Sequence, residues 1–224
     1  MDRLQDKVAA RVRPGERPGK PKGPSRADRT RAKLIDAAID EFAAFGFHEA
    51  KISGIVARAG LTQPTFYLYF KTKEAVHEHL VRRVHDELNH VIEHARLPAS
   101  VPAVDVREKM RTAIQAFLQY FSDNPKLASI GYFSDGASQV IRDEVVALVS
   151  RNIAFEQGAG YFRRDLDPVF VSQCYNGSLE RLIKIYLLSG QYSAYELSEK
   201  VADVYIRGFL PPELSAAPGP GGQA

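Results

Sequence analysis

Apolar positions recur at steps of three and four from about residue 29 to residue 209, and no segment alternates as a half-buried strand would, so an all-α fold is expected. Leu34, Ile35, Ala38, Phe42 and Phe45 form one stripe. They predict a first helix from about Arg29 to Phe45, with Gly46 suited to stop it. Ile52, Ile55, Val56 and Ala59 give a short second helix that Gly60 would end. After Leu61, Thr62 is placed to cap a third helix, and Pro64 falls in its first turn, where a missing N–H costs little. The turn between the second and third helices is that of a helix-turn-helix. Thr72 can cap a fourth helix running from Lys73 to about His94. Its roughly 22 residues would span about 33 Å, enough to reach from one domain into another.

"LPASVPAVD" breaks the pattern, and residues 105–122, 125–136 and 139–157 then read as helices. After the connection "GYFRRDLDP" come two last helices, 168–188 and 193–209, where Gly177 and Ser178 would admit a close neighbour. Outside this region, "RVRPGERPGKPKGPS" and "SAAPGPGGQA" offer almost nothing to bury. The expected organisation is a disordered basic arm over 1–27, a helix-turn-helix domain over 28–74, a second helical domain over 75–210, and a disordered tail over 211–224.

With 45% apolar and 25% charged residues the chain has an ordinary globular composition, which argues against bulk disorder. No apolar run approaches the length of a membrane span, and the first 33 residues lack the hydrophobic segment of a secretory signal, so a cytoplasmic location is expected. Cys174 is the sole cysteine, so neither an internal disulfide nor a cysteine-rich metal site can form. Charge is uneven. Residues 1–33 carry eleven Lys/Arg against four Asp/Glu, a net +7 in a chain whose total is +3. A basic end on a mildly acidic body suits a polyanion, most commonly nucleic acid.

The stretch "AGLTQPTFYLYFKTKEAV" then acquires a meaning. The second helix of a helix-turn-helix enters the DNA major groove and its N-terminal residues reach base edges. Phe66 and Phe70, four apart, share a face that packs inward. Gln63 can bond an adenine edge in a bidentate way, and Pro64 can touch a thymine methyl. Tyr67 and Tyr69 present hydroxyls to phosphates, and Lys73 adds charge at the next helix's N-terminus. With Lys51, Thr62, Thr65 and Lys71 these make up the expected DNA-facing set.

"RAKLIDAAIDEFAAFGFHEAKISGIVARAGLTQPTFYLYFKTKEAV" resembles the N-terminal domain of the tetracycline-repressor-like (TetR) family of bacterial transcriptional regulators, over about residues 29 to 76. The resemblance implies that Gln63, Pro64 and Tyr67 contact bases while Thr65, Tyr69 and Lys73 contact phosphates. Two positions depart from the pattern: Lys51 stands where the family often has a capping threonine, and Tyr69 where histidine is common. "GYFRRDLDPVFVSQCYNGSLERLIKIYLL" is similar to the segment that precedes and forms the first of the family's two dimerisation helices. The family further implies a helical bundle that binds a small effector, and a four-helix dimer interface. Leu197, Val201, Val204 and Phe209 are the expected dimer stripe. The rings of Phe117, Tyr120, Phe121, Tyr132, Phe133, Phe155 and Tyr175 suit a core with part of the set lining an effector cavity, which points to a hydrophobic effector.

Two other patterns have a plainer explanation. "HVIEH", His90 to His94, fits a zinc-peptidase spacing, but no third-ligand motif follows and the segment lies in the expected linking helix. On a helical projection His77 joins the stripe of Leu80, Val84, Leu88 and Val91, whereas His90 and His94 lie on its flank. Cys174 sits in an apolar helix, the setting of an inert buried thiol. The expected function is a ligand-responsive DNA-binding repressor acting as a homodimer on an operator, with no cofactor, metal or membrane. An architectural DNA-binding protein and a metal-dependent hydrolase are the alternatives.

Overall fold

A computed structural model of the chain describes residues 23, 25–134 and 137–207, so the expected arm up to residue 22, the whole of the expected tail 211–224 and Phe209 of the dimer stripe lie outside the described residues. Among those described, all regular structure is helical: α1 (Arg26–Glu49), α2 (Ile52–Ala59), α3 (Gln63–Tyr67), α4 (Lys73–Ala95), α5 (Ala103–Asp123), α6 (Pro125–Gly131), α7 (Ala137–Gly158), α8 (Pro168–Leu182) and α9 (Ala194–Arg207). A π turn, Ile183–Leu187, extends α8 toward α9.

Helix α1 begins three residues earlier than the apolar stripe suggests, because Ser25 and Asp28 form a reciprocal cap. Asp28 N donates to Ser25 Oγ at 3.1 Å and Ser25 N donates to Asp28 Oδ2 at 2.9 Å. Leu34, Ala38 and Phe42 are buried as expected, but Phe45 is 54% exposed. The helix breaks at Gly46, whose φ of 72° is left-handed, and Phe47 folds back across the break to reach Phe42, ring centroids 6.0 Å apart. Phe47 therefore takes the inner place that the stripe assigned to Phe45. Helix α2 ends at Gly60, again left-handed at φ 65°, a conformation that a side chain would strain.

The long helix α4 buries Val76, Leu80, Val84, Leu88 and Ile92 along one line and so passes from the first three helices into the second bundle. Helix α6 is shorter than expected, ending at Gly131, and it lies against both α1 and α4. Lys126 of α6 pairs with Asp40 of α1 at 2.7 Å. A Cβ on Gly131 would come within 2.5 Å of Val84 Cγ2, so only glycine lets α6 approach α4 this closely. Helix α5 packs on α4 and α9, and α7 on α4 and α8. Asp167 caps α8, accepting from Val169 N at 2.7 Å and Phe170 N at 3.3 Å, with Pro168 opening the helix.

The α6 contact gives a direct test. Gly131→Val should lower stability by about 1 to 3 kcal/mol through overpacking, and Val84→Ala in the same chain should recover part of that loss. Urea unfolding of the single and double variants measures both.

Candidate functional site

The helix-turn-helix is held by buried aromatic packing. Phe66 and Phe70 are inside, with ring centroids 5.9 Å apart, as their spacing predicts. Gln63, Pro64 and Lys71 are exposed, Tyr67 is 54% exposed, and Thr65 and Tyr69 are half-buried. Thr62 precedes α3 but its hydroxyl lies 3.0 Å from that of Thr65 instead of bonding a backbone amide. One solvent-facing surface thus carries Gln63, Pro64, Tyr67 and Lys71. Leu68, 81% exposed between the two tyrosines, belongs to that neighbourhood and carries no polar signal that sequence reasoning could have used.

Lys51 begins α2 without a side-chain cap. The capping work falls to Glu41 of α1, whose buried carboxylate accepts from Lys51 N at 3.4 Å and from Arg58 Nε at 2.7 Å. Glu41 and Arg58 were missed because an acidic residue within an α1 stripe reads as a solvated flank until α2 is laid over it.

Lys73 differs most from expectation. Its Nζ donates to the carbonyls of Phe47 at 2.7 Å, His48 at 3.1 Å and Ala50 at 3.0 Å, and lies 4.7 Å from the centre of the Phe47 ring. An ammonium has three donors, so all are engaged. In this structure Lys73 closes the C-terminal end of α1 and does not project toward solvent as a phosphate ligand. His77, one turn further on, packs against Phe47 (4.5 Å) and edge-on to Phe42 (5.6 Å). Burial lowers its pKa below the usual histidine value of 6.5, with Lys73 acting in the same direction. His79 is lowered too, by burial and then by Arg31, Arg82 and Arg83.

The second bundle contains a partly open cavity of about 360 Å³. Its apolar wall includes Val91, Ile92, Val106, Met110, Ile114, Phe117, Val149 and Ile153, with Arg107 and Arg163 among its lining residues. Of the seven rings considered, Phe117 and Tyr175 line this space. Phe121, Tyr132 and Phe133 instead pack on one another, with centroids 5.0 to 5.6 Å apart, because α5 and α6 meet there. Tyr120 faces a different cleft, shared with Glu87 and Asn124. Phe155 is 39% exposed with the Arg96 guanidinium 4.7 Å above it. The residues that sequence reasoning missed are aliphatic ones from α4, α5 and α7, indistinguishable in periodicity from ordinary core.

The dimer stripe also needs correction. Leu197 and Val201 are 2% and 3% exposed, buried within the chain because α9 lies against α5. Of its described members only Val204 stays accessible, at 43%, and with it Tyr195, Tyr205 and Ile206 of α9, and Val169, Phe170, Ile185 and Leu188 of α8 and its π turn. Cys174 is exposed, not buried. The rings of His90 and His94 lie against each other at a tilt of 43°, centroids 3.9 Å apart, and His94 Nδ1 lies 2.8 Å from the His90 carbonyl oxygen. No cluster of three or more His, Cys, Asp or Glu fit to hold a metal occurs among the described residues.

Residues 34–80 match the family model for bacterial regulatory proteins, tetR family. The uncharacterized HTH-type transcriptional regulator YdgC of Bacillus subtilis is 33% identical over 187 residues, 84% of this chain and 96% of YdgC. This chain belongs to the TetR family. It is a transcriptional regulator and not an enzyme. The TetR fold extends over the second bundle as well. The fatty acid degradation regulator FadR of Bacillus halodurans superposes with a TM-score of 0.65 at 23% identity, over 85% of this chain and 98% of that one. FadR of Bacillus subtilis in complex with stearoyl-CoA does so with a TM-score of 0.63 at 21% identity, over 80% and 99%.

The packed histidines set a pH dependence. Since the folded state holds His77 and His79 below the 6.5 of an unfolded chain, the unfolded state binds more protons as pH falls, and stability drops on acidification through that value. It is retained above about pH 7. His77→Phe, which keeps the ring packing, should lose less stability than the wild type between about pH 7.5 and about pH 5.5. Thermal unfolding midpoints at the two pH values decide it.

Proposed function

We propose that this TetR-family regulator is a repressor that binds a palindromic operator as a homodimer and leaves it when a long-chain apolar effector, of the acyl thioester class, occupies the second bundle. The observation that carries this is the apolar cavity of about 360 Å³ walled in part by α4, the helix that also supports the DNA-binding domain. An architectural protein without effector would need a solid second bundle. The stearoyl-CoA held by the Bacillus subtilis FadR supports the choice of ligand class. On DNA, Gln63, Pro64 and Tyr67 read bases, Lys51, Thr62, Thr65, Tyr69 and Lys71 meet the backbone, and Lys73 holds the domain in position. On this reading the DNA-binding domain begins at the Ser25 cap of α1, three residues before the expected limit of 28, and passes into the second domain within α4. The exposed apolar faces of α8 and α9 pair across a two-fold axis, placing the half-sites about 34 to 36 Å apart. No helix among the described residues is long and apolar enough to cross a membrane.

The test uses an operator selected from random duplex DNA and fluorescence anisotropy. Stearoyl-CoA should weaken operator binding about a hundredfold, which corresponds to about 2.7 kcal/mol of differential ligand affinity between the two conformations. Gln63→Ala should cost about 1 to 3 kcal/mol on the operator and relax preference at one position per half-site. Stearoyl-CoA that raises the unfolding midpoint yet leaves operator affinity unchanged would sink the release mechanism.

A further inference from the structure

The cavity has two unlike ends. At one, the connection between α4 and α5 meets the connection between α7 and α8, where the Tyr161 hydroxyl accepts from Val101 N at 2.7 Å and donates to the Pro98 carbonyl at 2.8 Å. Leu97, Tyr161 and Arg163 from these connections line the cavity, as does Arg107 near the start of α5. The Arg107 and Arg163 side chains are 49% and 68% exposed, so this end is the mouth. Along α5 the lining runs inward from Arg107 and ends at Phe117, about 15 Å further along the helix. Phe117 is only 6% exposed, and its ring rests on that of Phe121, centroids 5.1 Å apart. Phe121 is fully buried and packs in turn on Tyr132 and Phe133, at 5.0 and 5.6 Å. The inner end is therefore one ring backed by three others, and interiors packed in this way resist displacement.

We propose that Phe117 is the end stop of the effector site and sets the longest acyl chain that the site can seat. The chain enters tail first, because its apolar end suits the buried inner wall, whereas a charged or strongly polar head stays hydrated at the mouth beside Arg107 and Arg163. Each methylene drawn in from water adds to affinity until the terminal methyl meets the Phe117 ring. Further carbons then remain outside. Side-wall residues such as Met110 and Ile114 run alongside the chain and act on its affinity at every length, so it is the residue at the end that discriminates between lengths. The proposal rests on the reading of this cavity as the effector's and adds which chain lengths it takes.

The probes are saturated acyl-CoAs from octanoyl to icosanoyl, titrated into the full chain by calorimetry below their micelle-forming concentrations. Wild-type affinity should rise about fourfold per added methylene and then level off. Phe117→Ala should move the start of that plateau to chains about two to four carbons longer, by opening the space the ring filled. Phe117→Leu should move it the same way by a smaller step, and it carries the test if the alanine variant does not fold. Phe121→Leu removes a comparable ring that lies behind the wall. It should lower the unfolding midpoint yet leave the plateau where it is, which separates an end stop from a general loosening of the core. An affinity independent of chain length, a plateau unmoved in the Phe117 variants, or one moved equally by Phe121→Leu would overturn the end stop. Operator release is scored separately by anisotropy. A plateau shift without release supports the end stop and removes the release mechanism, whereas failure of every acyl-CoA to bind removes the effector reading and the end stop with it.

Discussion

One ammonium ties the start of the long helix α4 to the C-terminal end of α1. The last turn of α1 leaves carbonyl oxygens without helical partners, as every helix end does, and Lys73 at the start of α4 collects those of Phe47, His48 and Ala50. Charge-assisted hydrogen bonds of this kind are stronger than neutral ones, and here three converge on one atom beside the Phe47 ring. The helix-turn-helix is thereby fastened to the end of the long helix at a defined angle. His77 packing on Phe42 and Phe47 reinforces the joint one turn later.

The same long helix forms part of the cavity wall through Val91 and Ile92 and touches α6 through Val84. Helix α6 in turn rests on α1 through Lys126 and Asp40. Under the proposed effector response, a change in the cavity would have two routes to the DNA-binding domain, along α4 and across α6. Packed interiors shift between discrete arrangements instead of yielding continuously, so a small displacement at Val91 can become a change of angle at α3. On this account α3, only five residues long, does not position itself. Its placement comes from Phe66 and Phe70 below it and from the α4 joint behind it.

Much of this was legible in the sequence. Periodicity located every helix, and Gly60, Pro64 and Thr72 marked their ends because each has a backbone role that few other residues fill. Gln63, Pro64 and Tyr67 could be placed on the outer face because Phe66 and Phe70 fix the inner one. What could not be read depended on contacts between distant segments. Nothing local distinguishes Lys73 as a clamp from Lys73 as a phosphate ligand, since the carbonyls it serves lie some 25 residues away. Leu197 and Val201 made a plausible dimer stripe until α5 was found covering them. The cavity was only partly legible because its walls are mostly the same aliphatic residues that fill a core; of the aromatic rings that attracted notice, Phe117 and Tyr175 line it, whereas Phe121, Tyr132 and Phe133 interlock between α5 and α6.

The role of Lys73 is the most direct test of the account, because a clamp and a phosphate ligand respond differently to salt. Operator binding by wild type and Lys73→Met is measured by anisotropy across a range of salt concentrations, alongside unfolding midpoints of both proteins. The account predicts parallel slopes of log affinity against log salt, weaker binding throughout, and a lower midpoint for the variant. A slope shallower by about one contact per subunit with an unchanged midpoint would contradict it, since that is the signature of a lost phosphate contact and not of a loosened joint.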